Sequence, residues 1–502
     1  MRLASSALIK QIDLYAEKEL NIDTRELMAR SGLAVAERAL KMSGSGDTVL
    51  VLCGKGNNGG DGYAAAMHLS KERNVKILAP FGAEQKNQCG KFYFEKCREL
   101  GICIRSGIDG AKELIKSSSL IIDAIFGIGF SGELSFELCA LSELIRESGK
   151  PVLAVDLPLG IDGDTARVAT GAIKADATVA LTLKKPAHVS YPAKEYMGSV
   201  SLCTIGLDEY LDRFEYNIFE ADEELFRSAF PKRDPMANKG SFGKTVHVTG
   251  SEKYRGAAHL ALEASLRSGV GITYHAGGGE LAKELRLKFP EAIYIDMIKG
   301  ALEEDPIAKA VGKYSSVLIG SGSSISKELS ELIESVIKTD GAPLVLDADG
   351  INSLAKYSSA EVLKSAKRTV ILTPHPLELS RLFGYSPDDI NKNRLPLAME
   401  LAKEYGIILL LKGAGTVITD GERAYINTSG STALSKGGSG DVLAGLLASA
   451  VASAEDTLAA VAACAYIHGR AGDTLSAELS DYGVTPSDLP MEIGRHIKLI
   501  LG

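Results

Sequence analysis

The chain has 502 residues, 45% of them hydrophobic and 24% charged, with a formal net charge of -8. That length suits two or more domains, each with its own core, and the ordinary composition excludes a disordered or fibrous chain. A modest acidic balance with both signs dispersed argues against non-specific binding to nucleic acid or to an anionic membrane.

The seven cysteines include no Cys-x-x-Cys pair. They read as reduced, mostly buried thiols of a cytoplasmic protein. Cys53, beside a glycine-rich stretch, is expected to pack in the core rather than react. The opening apolar stretch is too short for a signal peptide. The small-apolar region from Val442 to Ala454 is too short to span a bilayer and reads as part of a buried helix pair. His247, His259 and His275 have no mutual metal-ligand spacing, so no zinc or iron site is expected.

In chain order, the first ~40 residues predict helix, with Met28, Val35, Ala36 and Ala39 on one face. A strand is predicted at Thr48–Cys53, a helix at Tyr63–Arg73, and strands at Val75–Pro80, Leu120–Phe126, Pro151–Asp156 and Thr178–Leu183. Short apolar strands alternating with amphipathic helices imply βαβ units and a parallel sheet. A charged, aromatic segment from Asp208 and the connector Pro231-Lys-Arg-Asp-Pro place a domain boundary near 210–230, giving domains at 1–212 and 213–502. A second series of strands follows at Thr245–Thr249, Val317–Gly320, Pro343–Asp347, Thr369–Thr373 and Ile407–Lys412. Asp420-Gly421 marks a hairpin turn within Val417–Asn427. The halves share an architecture class without an evident repeat.

In the first half, Gly54, Gly56 and Gly59 satisfy G-x-G-x-x-G between a strand and a helix, a pattern that exposes backbone N–H groups to phosphate. The next strand ends Leu78-Ala-Pro-Phe, without the acidic residue that a dinucleotide-binding dehydrogenase uses for ribose. Asn57, Asn58 and Asp61 enrich the loop, and Asp61 is read either as a helix cap or as a pocket residue. Asp123 and Asp156 end two further strands, so three carboxylates converge on the carboxyl edge of the sheet, where open parallel sheets bind ligands.

Gly54–Gly62, Asp123–Gly129 and Asp156–Asp162 resemble the N-terminal domain of the hydrated NAD(P)H repair proteins, the YjeF family. The resemblance implies a Rossmann-like three-layer α/β/α fold and epimerisation of the R and S hydrates of NADH and NADPH. It implies that Asn57, Asn58, Gly59, Gly60 and Asp61 contact substrate, together with Gly127, Ile128, Gly129, Phe130, Ser131, Gly132 and Glu133. Asp156 would be the acid/base group. Asn58, Asp123 and the backbone at Leu159 would hold a potassium ion, and oxygen ligands suit so hard a cation. Two positions depart from the family: Leu159 stands where Ser is usual, and Ser131 where a basic residue is frequent.

In the second half, glycines precede Asp441 in Thr432-Ala-Leu-Ser-Lys-Gly-Gly-Ser-Gly-Asp, at the start of a helix rich in small residues. Free N–H groups there can hold a transferring phosphoryl group while Asp441 takes a proton from the attacking hydroxyl. The plainer alternative is a helix cap at Asp441. The stretch Asn238-Lys-Gly-Ser-Phe-Gly-Lys-Thr ends like a Walker A loop but lacks its first glycine. Lys412 is read either as a donor-site residue or as a snorkelling surface lysine. Asp347 and Asp349 read as turn formers beside Gly350 and are not assigned catalysis.

The loop resembles the Gly-x-Gly-Asp of the ribokinase-like superfamily. With Tyr254-Arg-Gly-Ala-Ala, Asp347-Ala-Asp-Gly, Thr373-Pro-His-Pro-Leu-Glu and Lys412-Gly-Ala-Gly-Thr, in that order, it resembles the dehydratase domain of the same repair proteins. Leu377 and Gly320-Ser-Gly-Ser depart from the usual pattern. The resemblance implies dehydration of the S hydrate with ADP favoured as co-substrate, magnesium present, and Asp441 as base. Gly437, Gly438, Ser439 and Gly440 would form the anion hole. Lys412, Gly413, Ala414, Gly415, Thr416 and Ser431 would help hold the nucleotide, and Ala257, Gly322 and His375 would line the hydrate pocket. A homo-oligomer is expected. The rival readings are a ribokinase-like kinase of a vitamin precursor, and a first half that binds nucleotide without catalysis.

Overall fold

The computed structural model describes residues 1–230, 232–296 and 314–502. Pro231 of the expected connector lies outside the described residues. The chain divides into two compact units, Arg2–Ile218 and Phe219–Gly502 with Met1.

The first unit holds a seven-stranded parallel sheet. Its order is Cys103–Ser106, Asn74–Ala79, Thr48–Cys53, Leu120–Ala124, Val152–Val155, Ala177–Leu181, Ser199–Cys203. Thr48–Cys53 shows why the unit has three layers. Val49, Val51 and Cys53 pack on one face with Val35, Ala36 and Tyr63; Leu50 and Leu52 pack on the other with Leu138, Leu141 and Ile145. The apolar run is continuous because helices cover both sides of the strand. The strand order reverses between Thr48–Cys53 and Leu120–Ala124, where such sheets open a crevice.

The predicted early helix is two helices, Ser6–Lys18 and Thr24–Met42, capped by Ser5 and Asp23. The predicted Tyr63–Arg73 helix spans Asn57–Leu69 instead. The glycine-rich stretch is thus the first turns of the helix rather than a loop ahead of it. Gly59 is required by packing, since a Cβ there would run into the Gly54 carbonyl. Asp61 does not cap the helix; Gly56 stands at that position, and Asp61 is buried within the helix. The edge strands Cys103–Ser106 and Ser199–Cys203, not expected from the sequence, are largely solvent-facing and carry no continuous apolar run.

In the second unit, parallel strands run in the order Ile408–Leu411, Val370–Leu372, Leu344–Leu346, Ser316–Ile319, Lys244–Val248, Ile272–Gly277, Ile293–Asp296. The last two were not expected. Thr416–Thr419 and Ala424–Asn427 extend the first edge as an antiparallel hairpin. Its turn is held by Asp420, whose Oδ1 accepts the Glu422 and Arg423 N–H groups. Helices Ser439–Val451 and Thr457–Gly483 bury the small-apolar region in the core. Among the described residues no helix is long and apolar enough to cross a membrane.

Cys53, Cys97 and Cys464 are buried, whereas Cys103 is exposed and the other three are half-buried, so most of the thiols are not core residues. Burial pushes the Cys53 thiol well up, which makes it a poor nucleophile.

Candidate active sites

A cavity of ≈ 1020 Å³ opens at the carboxyl edge of the first sheet, lined by Asn57, Asn58, Asp61, Gly127, Ile128, Gly129 and Asp156 among others. Residues from three separate motifs therefore share one cavity. Phe130, Ser131, Gly132 and Glu133 do not line it. Glu133 accepts the Thr170 N–H, at 3.0 Å, and Phe130 stacks on Phe126 at the cavity wall.

Asp156 follows the strand Val152–Val155 with a left-handed φ of 63°, a strained conformation for a non-glycine residue. Strain of this kind persists only where the surroundings fix it, and here they do. The Asp156 carboxylate accepts the Leu181 N–H at 3.1 Å and pairs with the ammonium of Lys185. Lys185 is 1% exposed and also donates to the Leu181 carbonyl at 2.6 Å. His188 closes the unit: its Nδ1 accepts the Lys185 N–H, and its Nε2 lies 2.7 Å from the Asp156 carbonyl. Burial pulls the His188 imidazole down to about 4, so it is neutral and donates through Nε2.

Asp123 is fully buried, its oxygens accepting the Ile125 and Leu159 N–H groups at 3.2 and 2.7 Å. Burial raises it to about 6, against the lowering by those two bonds. The Leu159 carbonyl accepts the Ile173 N–H.

In the second unit, five neighbouring strands deliver Thr249, Gly320, Asp347, Thr373 and Lys412 to one edge of the sheet. Asp347 ties Thr373, Lys412 and Ser321 together. Its Oδ1 accepts the Thr373 hydroxyl at 2.7 Å and Lys412 Nζ at 2.9 Å; its Oδ2 accepts the Ser321 hydroxyl at 3.0 Å. Asp347 is thus the centre of a buried polar network, not a solvated turn former. Lys412 does not snorkel: Glu378 Oε2 is its second acid, at 3.8 Å. Burial would lower the Lys412 ammonium, but Asp347 and Glu378 outweigh it and raise it.

Asp441 lies in the first turn of the helix Ser439–Val451, whose N-cap is Gly438, so Asp441 is not a cap. Gly438 has a φ of 111°, which favours glycine. Lys412 Nζ lies 3.6 Å from where a Cβ on Gly440 would stand, which sets the cation against the glycine turn. Burial raises Asp441 to about 7; Asp347 adds to this, Lys412 opposes it, and Asp349 raises it further. A carboxyl near neutrality is poised to exchange protons at physiological pH.

The remaining expected residues are placed as follows. Ala257 and Gly322 are neighbours, since a Cβ on Gly322 would meet the Ala257 methyl. His375 caps the helix Pro376–Phe383, its Nδ1 accepting the Leu377 and Glu378 N–H groups. Thr416 closes the Gly413–Thr416 turn onto the Gly413 carbonyl at 2.8 Å. The Ser431 hydroxyl donates to Asp481 at 3.2 Å.

The family described as NAD(P)H-hydrate dehydratase matches residues 246–495, and the YjeF-related protein N-terminus matches residues 24–187. A bifunctional NAD(P)H-hydrate repair enzyme of Thermofilum pendens is 32% identical over 97% of this chain and 94% of its own. One from Moorella thermoacetica is 32% identical over 97% and 95%. The chain belongs to the bifunctional NAD(P)H-hydrate repair enzymes. In this family's second half, a solved ADP/ATP-dependent NAD(P)H-hydrate dehydratase from Bacillus subtilis, co-crystallised with ATP/Mg2+, is 28% identical with a TM-score of 0.51, covering 57% of this chain and 99% of that one. A ribokinase-like superfamily protein from Enterococcus faecalis V583, 23% identical with a TM-score of 0.51 over 57% of this chain and 98% of its own, shows the fold to be ribokinase-like.

The repair-enzyme motifs did not point to three residues that the structure adds: Lys185, Asp347 as a network centre, and Asp13. A lysine pair directly after a buried strand was the available signal for Lys185. For Asp13 it was an acid placed one residue after Ile12 on the buried stripe Ile9, Ile12, Ala16.

Proposed function

We propose that the first unit epimerises the R and S hydrates of NADH and NADPH, and that the second dehydrates the S hydrate using ADP as phosphoryl donor. The observation that carries the second half is the Asp441–Gly440–Lys412 arrangement: a carboxyl near neutrality beside a glycine turn with a half-buried lysine against it. The hydrate's hydroxyl attacks the terminal phosphoryl group as Asp441 takes its proton. Phosphate then leaves with the carbon–oxygen bonding pair, the neighbouring C–H proton passes to water or the departing phosphate, and the C–H electron pair restores the dihydronicotinamide double bond. Gly437–Gly440 offer backbone N–H groups to the moving phosphoryl group. Lys412 and Gly413–Thr416, with Ser431, hold the donor. Ala257, Gly322 and His375 face the hydrate.

Magnesium takes one or two carboxylates and completes its shell with phosphates and water; Asp349, whose charge acts on Asp441, would supply one of them, and the ion would neutralise phosphate charge.

In the first unit, Asp156 is the acid/base group, held by Lys185. Asn57, Asn58, Asp61, Gly127, Ile128 and Gly129, which line the cavity, contact the hydrate. Potassium fits beside Asp123 and Asn58. Asp123 is a buried carboxyl raised by desolvation, and the Asn58 Nδ2 is buried without a hydrogen-bond partner, so the amide is free to turn its oxygen to a cation. Leu159 would contribute through its carbonyl. Bound there, the ion would fix the glycine-rich turn.

The test is repair of a mixed R/S hydrate with ADP and, separately, with ATP, followed by the dihydronicotinamide absorbance. Complete conversion is expected. A plateau at the S fraction would remove the epimerase half, and phosphorylated hydrate accumulating without reduced cofactor would favour a simple kinase.

A further inference from the structure

The cavity of the first unit has two acidic walls. Asp156 enters from the sheet edge. Asp13 enters from the helix Ser6–Lys18, on its partly buried side, and lines the same space. The two carboxyls sit in unlike surroundings. Asp156 is locked by the Lys185 ammonium and the Leu181 N–H. Burial lifts Asp13 to about 6, the Lys185 charge opposing and the Asp156 charge assisting. Asp61, at the cavity floor on the helix Asn57–Leu69, is pushed well up by burial, and then by Asp156 and Asp13. The remaining charged groups facing the cavity are Lys10 and Glu17 on the helix of Asp13, with Lys55 and Lys86 at the glycine-rich side. Two carboxyls that enter one cavity from different elements, one held by a lysine and one without a basic partner at bonding distance, are placed to divide acid from base work.

We propose that Asp13 is the general acid of epimerisation and Asp156 its base, the two acting on opposite faces of the hydrated carbon. This rests on the epimerase reading of the first unit. Water adds across an enamine double bond, so the hydroxyl-bearing carbon is bonded to the ring nitrogen. The Asp13 proton passes to that hydroxyl. The carbon–oxygen bond breaks to release water, and the nitrogen lone pair forms a carbon–nitrogen double bond. Water then adds to the other face, its surplus proton goes to Asp156, and the nitrogen recovers its pair. One proton has moved from Asp13 to Asp156, and the reverse inversion returns it. The Lys185 ammonium and the Leu181 N–H hold the Asp156 carboxyl in place to receive it. The cavity has ample room for the detached water.

The experiment uses the full chain with purified R hydrate, ADP and magnesium, in ordinary and in oxygen-18 water. Asp13→Asn is expected to lower kcat for R-hydrate repair about a hundredfold or more, with KM unchanged and S-hydrate dehydration intact. Wild-type epimerisation is expected to fall as pH rises through about 6, because Asp13 must carry its proton; Asp13→Glu keeps activity and shifts that limb upward. Because dehydration passes the ring oxygen to phosphate, the label is read in a parallel run without ADP, where each inverted molecule acquires one solvent oxygen. Wild-type kcat in Asp13→Asn overturns the assignment, as does inversion with the substrate oxygen retained. If Asp13→Asn does not fold, the Asp13→Glu limb and the label decide. Absence of epimerisation in the wild-type chain, with S dehydration proceeding, would sink the underlying reading instead.

Discussion

Replacing Asp441 by Asn separates the work of this carboxyl from what it costs the fold. The group titrates at about 7 in the folded chain against 3.8 for an ordinary Asp, chiefly through burial. The folded state therefore holds a proton that the unfolded chain releases. Its contribution to stability is fully present below 3.8 and is lost as pH rises through about 7. A gap of roughly three pH units at about 1.36 kcal/mol each is on the order of 4 kcal/mol in full. Solvent reaches part of the side chain and screens some of this, so about 2 kcal/mol is expected to appear between pH 5 and pH 8. Asn carries no charge and keeps the volume. Asp441→Asn should be more resistant to denaturant than wild type at pH 8, by a margin about 2 kcal/mol larger than the one at pH 5. Its dehydration of the S hydrate should fall by about a hundredfold or more, as expected for loss of a general base. The assay is denaturant unfolding of the second unit at both pH values, without nucleotide, beside a single-turnover dehydration. Parallel stability curves from pH 5 to pH 8 would refute the desolvation argument, and retained turnover would refute the role.

Lys412→Met removes the cation that lowers Asp441, so the rising limb of dehydration should move about one pH unit upward; a uniform loss with an unmoved limb would mean that Lys412 acts only on the donor. Lys185→Met leaves Asp156 buried and unpaired, and R-hydrate repair should be lost while S-hydrate repair persists, which kinetic assay of each hydrate reads directly. Asp123→Asn should abolish any potassium stimulation of epimerisation, measured against sodium; equal stimulation in the variant would move the ion elsewhere. Gly59→Ala forces a methyl onto the Gly54 carbonyl and should destabilise the first unit by about 1–3 kcal/mol, seen as a lower unfolding midpoint.

The strands most legible in the sequence were those with both faces covered, such as Thr48–Cys53 and Leu344–Leu346, because burial on both sides writes an unbroken apolar run. Cys103–Ser106 and Ser199–Cys203 escaped because edge strands carry exposed residues and half a pattern. The helix at Asn57 was placed six residues late. Asn and Gly are poor helix formers, and only the close approach of Gly54 and Gly59 explains why they stand there. Asp123, Asp156 and Asp441 stood out in the sequence as candidates because each ends a strand or opens a helix within a glycine-rich motif. Lys185 and Asp13 could not be paired with Asp156 from sequence, since their partnership exists only across the cavity. Asp347 was hidden differently: the neighbouring Gly350 gives its segment the composition of a turn, whereas the fold buries its carboxylate among Ser321, Thr373 and Lys412.

Both units set a lysine–aspartate pair at the carboxyl edge of a sheet, but they assign the free carboxyl opposite surroundings. In the first, Lys185 grips Asp156 itself, the acid proposed to act at a ring whose carbon becomes cationic. In the second, Lys412 grips Asp347 and leaves Asp441 unpaired in the helix turn. Under the proposed dehydration the incoming group is an anion, which a carboxyl raised by burial to about 7 repels less than an ordinary Asp would. On that proposal the same two residue types serve opposite developing charges, and what distinguishes the sites is which aspartate the lysine holds.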